Sequence, residues 1–193
     1  MTLRLSIGHA SRPVASERVC GDQLAVVTDG ARATIVVADG LGHGPAAEAA
    51  ALLAIEHVRK AGTATVSDLL RGCHEALRGT RGAAVTILSI DPARGELIHA
   101  GIGNVELATL SREPIRPIAL PGIVGARMRK VVESAHRVHA GDLIVVFTDG
   151  ISSRLSLERY RTGEPQPIAD DLLARHAKAH DDAACVVVRV RST

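Results

Sequence analysis

Aromatic side chains are almost missing from this chain of 193 residues, which has no Trp, one Phe and one Tyr. Phe147 and Tyr160 alone cannot build a base-stacking platform, and no nucleic-acid partner is expected. Cysteine is scarce as well. Cys20, Cys73 and Cys185 are isolated and odd in number, without a C-x-x-C, which argues against a disulfide scaffold or a zinc knuckle. Three lone thiols fit a reducing cytosol, where each serves as a small core residue. An excess of one charge is also lacking: 23 Lys+Arg against 21 Asp+Glu leave +2, with no run of five like charges. Bulk DNA and anionic membranes are therefore not expected partners. No apolar stretch approaches a membrane span, and the opening MTLRLSIGHASRPVASERV lacks the apolar core of a signal peptide. The expectation is a cytoplasmic protein.

What is present is aliphatic: 46% of residues are hydrophobic, mostly Ala, Val, Leu and Ile, enough for a sizeable core. No internal repeat or low-complexity linker divides the chain, and residues 1–193 read as one domain. Gln23 to Val27 and Thr34 to Ala38 read as strands joined at Asp29-Gly30, a strong hairpin signal. Pro45 to Ala61, free of internal Gly or Pro, reads as a helix closed near Gly62. Ser67 is read as the cap of a second helix running to about Arg78. Strand patterns follow at Ala84 to Ile90, Glu96 to Ala100, Asn104 to Leu110, Val131 to Val138 and Leu143 to Phe147. A helix from about Ile168 to Lys178 and a strand from Ala184 to Val190 complete the pattern. That order suggests an α+β fold with antiparallel sheets rather than repeated βαβ units.

Aspartate recurs where apolar strands stop. The places are Gly21-Asp22, Asp39-Gly40 after TIVVA, Asp149-Gly150 after LIVVFT, and Asp181-Asp182 before ACVVVRV. A strand is a rigid mount, and several carboxylates at one end of a sheet would make an oxygen-rich site for Mg²⁺ or Mn²⁺. Any single Asp-Gly is more simply a turn, as Asp29-Gly30 illustrates. Asp39 stands apart because Asp-Gly-Leu-Gly-His-Gly runs directly into an Ala-rich helix. Such a glycine-rich corner suits a metal or a phosphate at the helix N-terminus.

The ordered set GD, VADGLGHG, Gly103-Asn104, VVFTDGI and DDAACVVV resembles the metal-dependent Ser/Thr phosphatases of the protein phosphatase 2C (PPM) family, and within it the bacterial SpoIIE-type branch. The resemblance spans about residues 5–191 and leaves no room for an added sensor domain. It implies a four-layer αββα sandwich, two antiparallel sheets flanked by helices, with two Mn²⁺ or Mg²⁺ ions at one end. Carried over by motif, Asp39 would bridge both ions, with Asp22 and the Gly40 carbonyl on one and Asp149 and Asp181 on the other. Asp182 and Asn104 would support those ligands from behind. Two dications can lower the pKa of a shared water, so a hydroxide between them would attack phosphorus without a nucleophilic side chain. G-x-S-x-G and C-x5-R are both missing, in keeping with that chemistry.

The resemblance further implies phosphorylated STAS-domain scaffold proteins of a bacterial stressosome as substrates. Arg12 and Arg18 are candidates to contact the substrate phosphate. His43, inside the glycine-rich corner, is a candidate general acid for the leaving seryl or threonyl oxygen. His176 and His180, at i and i+4, read as a solvated helix end rather than a zinc pair. Two other readings stand beside the phosphatase: a binding module on the same fold without activity, and a metal hydrolase of a small phosphorylated metabolite. The complete acidic set favours catalysis over the first.

Overall fold

Apolar runs that are buried on both faces dominate the architecture. In the computed structural model, which describes residues 2–62 and 64–192, these runs become the central strands of two stacked sheets. Among the described residues the order is β1 (Leu3–Arg12), β2 (Asp22–Asp29), β3 (Arg32–Gly40), α1 (Pro45–Ala61), α2 (Val66–Ala76), β4 (Ala83–Asp91) and β5 (Glu96–Ile102). Then come β6 (Glu106–Leu110), β7 (Ser134–Arg137), β8 (Leu143–Phe147), a 3₁₀ turn at Leu157–Tyr160, α3 (Pro165–His176) and β9 (Ala183–Ser192). One sheet has the order β1-β9-β8-β6 and the other β2-β3-β4-β5-β7, with neighbouring strands antiparallel throughout.

Alternation along each strand sends side chains to two different cores. Ile35, Val37, Leu88 and Leu97 face Ile144, Val146, Val186 and Val188 between the sheets. The opposite faces of β3 and β4, through Val36, Ala38, Val85 and Ile87, receive α1 and α2. Val145, Phe147, Cys185 and Val187 receive α3 on the far side. The layers are therefore helices, sheet, sheet, helix, the expected αββα sandwich. Small residues make it possible: Ala47, Ala50, Ala51 and Ala54 are fully buried and let α1 lie close to its sheet.

Several element limits differ from the sequence reading. No strand is read before Gln23, yet β1 pairs with β9 along its whole length, from Leu3↔Ser192 to Arg12↔Ala183. The signal is the alternation Leu3-x-Leu5-x-Ile7, whose apolar side chains reach the inter-sheet core. α3 starts earlier than expected, at Pro165, because proline suits a first helical turn, and it ends at His176. His180 thus lies beyond the helix, and the i, i+4 face with His176 is not formed. β6 starts at Glu106, leaving Asn104 in the preceding turn, and β7 is only Ser134–Arg137.

The second helix is capped by Thr65, not Ser67: the Thr65 hydroxyl accepts from the Asp68 amide at 3.2 Å. Ser67 already lies inside the first turn. Thr65→Ala should therefore cost about 1 kcal/mol, whereas Ser67→Ala should be nearly neutral. Thermal unfolding of the two variants checks this; the reverse ranking would contradict the cap.

Candidate metal centre

The β2–β3 hairpin fixes the first pair of carboxylates by register. Its turn-proximal pair, Asp29↔Arg32, sets every later pair up to Asp22↔Asp39 at the open end. Gly40 follows, and its amide donates to the Gly21 carbonyl at 3.1 Å. A Cβ on Gly40 would collide with the Ala47 carbonyl, so only glycine lets α1 approach the strand end. The second group comes from the other sheet. β8 and β9 are neighbours with Phe147↔Cys185 in register, which puts Asp149, just after β8, near Asp181, just before β9. Gly150 is required there because a Cβ would strike the Asp182 carbonyl.

The supporting residues are equally specific. Asn104 donates from Nδ2 to Asp149 Oδ2 at 2.7 Å. Asp182 is 2% exposed and accepts from the Val14 amide at 2.8 Å and the Gly21 amide at 2.9 Å. It therefore staples the segment before β2 onto the start of β9, which keeps Asp22 in place. Thr148, fully buried, accepts from the Ala184 amide at 3.0 Å and lies near enough to Asp22 to lower its pKa, bringing the two sheets together at this end. Sequence reasoning did not single out Thr148, whose only signal is its place in the FTDG segment. His43 is exposed, with Nδ1 2.7 Å from Glu17 Oε1, a partner the sequence reading also left out. Arg12 is committed elsewhere, donating to the Pro13 and Lys178 carbonyls, and Arg18 is exposed.

The electrostatics point to missing positive charge. Burial first, and then the neighbouring charge of Asp39, push the Asp22 carboxyl well above the usual range. Asp39 is raised by burial and by Asp149 and Asp181, and Asp181 is raised by burial and by Asp149. Among the described residues Asp22 Oδ2 is buried without a hydrogen-bond partner, an expensive state for a carboxylate oxygen. Among the described residues no three His, Cys, Asp or Glu side chains close into a ready-made metal cage. The carboxylates instead form a loose cluster of like charges, and an orphaned buried oxygen within it fits a cation as the absent partner. The donors favour a hard cation. Cys20, near Asp22 and Asp182, has its thiol pushed up to about 12 by burial and gives its hydrogen to the Arg12 carbonyl. It brings no thiolate, so the set is oxygen only.

Because folding raises the pKa of Asp22, Asp39 and Asp181, the stability these groups allow is fully present below the ordinary carboxylate range. It is lost as pH rises toward and through their folded values, when the buried groups must ionise. Metal-free protein should therefore melt at lower temperature near pH 8 than near pH 5, by roughly 2–4 °C for each kcal/mol of repulsion. Saturating Mn²⁺ should flatten that slope. A metal-free melting temperature that rises over this interval would contradict the cluster's electrostatics.

Residues 29–191 match the family model described as stage II sporulation protein E (SpoIIE). Phosphoserine phosphatase RsbX of Bacillus subtilis strain 168 is 26% identical over 136 residues, covering 69% of this chain and 68% of its own. A chain solved in work on the bacterial stressosome, described as a modular system adapted to control secondary messenger signalling, superposes with a TM-score of 0.92. It is 29% identical, over 96% of this chain and 100% of that one. RsbX in complex with magnesium superposes with a TM-score of 0.87 at 20% identity, over 96% and 95% of the two chains. At that identity the likeness is one of fold.

Proposed function

The chain belongs to the SpoIIE family, and from that premise we propose that it is a metal-dependent phosphoserine/phosphothreonine protein phosphatase of the RsbX type. It acts as a single catalytic domain on phosphorylated STAS-domain proteins of a stressosome, in the reducing cytoplasm expected from its three unpaired cysteines. No described helix is long and apolar enough to cross a membrane. The observation that carries the reading is the pair of buried Asp22 and half-buried Asp39, paired across the β2–β3 ladder, with Asp22 Oδ2 unsatisfied among the described residues. The name of the Bacillus relative supports the substrate class, and the stressosome chain supports the signalling context.

Asp22, Asp39, Asp149, Asp181 and the Gly40 carbonyl would hold two Mn²⁺ or Mg²⁺ ions. Bound there, such ions supply Lewis acidity toward phosphoryl oxygens and an activated water near neutral pH. The chain's own residues do the remainder. Asn104 holds Asp149 in one orientation, and Asp182 fixes the junction that carries Asp22. His43, held by Glu17 through Nδ1, presents Nε2 toward solvent at the corner. In its protonated form it can give the Nε2 proton to a departing seryl oxygen.

The test compares two substrates in Mn²⁺. The protein should release phosphate from both a phosphoserine peptide and an aryl phosphate, without a covalent phosphoenzyme. His43→Ala should slow the peptide about 10²-fold and the aryl ester much less, because an aryl oxide leaves without a proton. Equal slowing of both substrates at saturating metal would remove His43 from catalysis. No phosphate release from either substrate by the unaltered protein would refute the function.

A further inference from the structure

We infer that Arg127 and Arg129 line a basic cleft, with Arg81 at the glycine-rich corner, and that together they dock an acidic segment flanking the phosphorylated residue of a protein substrate. This rests on the phosphatase reading and adds the substrate's chemistry next to the reacting group. The connection between cleft and corner is short and built from backbone. Gly42 lies in the corner between Asp39 and α1, and the space where its Cβ would stand is 3.1 Å from Arg81 Nη1. The next residue, Gly82, accepts a hydrogen bond from the Leu41 amide at 3.0 Å through its carbonyl. Ala83 and Val124 then exchange backbone hydrogen bonds of 3.1 and 2.9 Å, and Ile123 does the same with Arg127 at 2.9 and 2.8 Å. Segment 121–129 is thereby attached to the strand that begins beside Arg81.

That segment shapes a cleft of about 450 Å³ lined by Pro121, Gly122, Ile123, Arg127 and Arg129. The volume corresponds to on the order of fifteen waters, more than one phosphate group occupies, and suits several side chains of an extended peptide. Its floor is apolar and its charge is of one sign. Many other surface arginines are neutralised from within the chain, as in Arg78–Glu75, Arg161–Glu158 and Arg191–Glu164, whereas Arg127 and Arg129 share one cleft whose lining holds no acidic side chain. Among the described residues the guanidinium groups of Arg81, Arg127 and Arg129 have no hydrogen bond or ion pair. A guanidinium offers five donors in a planar fork that matches a carboxylate, so three unpaired ones favour an acidic partner. Their position gives the selection a direction. The reacting phosphate sits over the aspartates, and the cleft reads what lies beside it in the substrate.

Two phosphoserine peptides test this, one flanked by Asp and Glu and the other by Asn and Gln at the same positions. In Mn²⁺ the unaltered protein should favour the acidic peptide about tenfold or more in kcat/KM, mainly through KM, and the preference should shrink at high salt. Arg127→Glu with Arg129→Glu should abolish or invert the preference, whereas Arg127→Lys with Arg129→Lys should retain most of it. Equal handling of both peptides by the unaltered protein would overturn the inference. So would a preference that survives charge reversal in a variant with native circular dichroism. Fluorescence anisotropy with labelled unphosphorylated versions of both peptides separates docking from chemistry. Tighter binding of the acidic peptide, lost on charge reversal, supports the cleft even if neither phosphopeptide is hydrolysed, in which case only the phosphatase reading fails.

Discussion

Asp39→Ala should reduce phosphate release by about 10³-fold or more, while Asp29→Ala should leave it within about twofold. The two positions carry the same Asp-Gly dipeptide on the same hairpin, one at each end. Asp29 is exposed at the turn, and its loss touches only local geometry. Asp39 lies among Asp22, Asp149 and Asp181, and its charge is felt by Asp22 as a raised pKa. Removing it takes away a donor proposed to be shared by both ions, and metal ligation contributes several kcal/mol to such chemistry. A destabilised fold is the ordinary alternative cause of lost activity, and electrostatics separates it. Without metal, Asp39→Ala removes one of several repelling buried charges, so its melting temperature near pH 8 should equal or exceed that of the unaltered protein. Matching activity losses at Asp29 and Asp39, with both variants folded, would sink the assignment.

Chelation should have an effect of comparable size. Excess EDTA should leave no measurable hydrolysis of an aryl phosphate, and Mn²⁺ or Mg²⁺ should restore it. The proposed donors are carboxylates and one carbonyl, with the neighbouring Cys20 held as a thiol by burial. Oxygen donors without thiolate select hard divalent cations. A second readout does not depend on turnover. Adding Mn²⁺ to metal-free protein should raise its melting temperature, increasingly with concentration, because an ion bound only by the folded state stabilises it by mass action. Full activity in excess chelator would overturn the metal requirement, and an unchanged melting temperature would overturn the proposed ligand cluster.

The acidic motifs were legible because strand ends carry a one-dimensional signature: an apolar run, then Asp, then a glycine that the next backbone demands. Asp39 and Asp149 are readable in this way, Asp22 and Asp181 as aspartates just before an apolar run, and the Asp29-Gly30 turn as the feature that fixes the register of Asp22 and Asp39. Their convergence was not readable from spacing alone. It depends on β8 lying beside β9 and on the end of β8 coming near Asp22 of the other sheet, contacts between residues far apart along the chain. β1 escaped the reading for a related reason. Its large apolar residues stop at Ile7, and what makes the rest a strand is the ladder with β9 at the opposite end of the chain.

By itself the sequence determined the chemistry on offer. Aliphatic runs without aromatics dictate thin, closely packed layers, and carboxylates at strand tips dictate oxygen donors for a hard cation. Thiols without partners leave no softer alternative. Only the tertiary structure decided which of these residues act on one another. Burial raised the carboxyl pKa values, Asp182 became a staple rather than a free donor, and His43 gained Glu17 as its partner. Arg12 was tied to carbonyls, while among the described residues Arg81, Arg127 and Arg129 were left unpaired. The physical reason is that side-chain type follows from local sequence, whereas desolvation and Coulomb interaction depend on distances that only the folded chain sets.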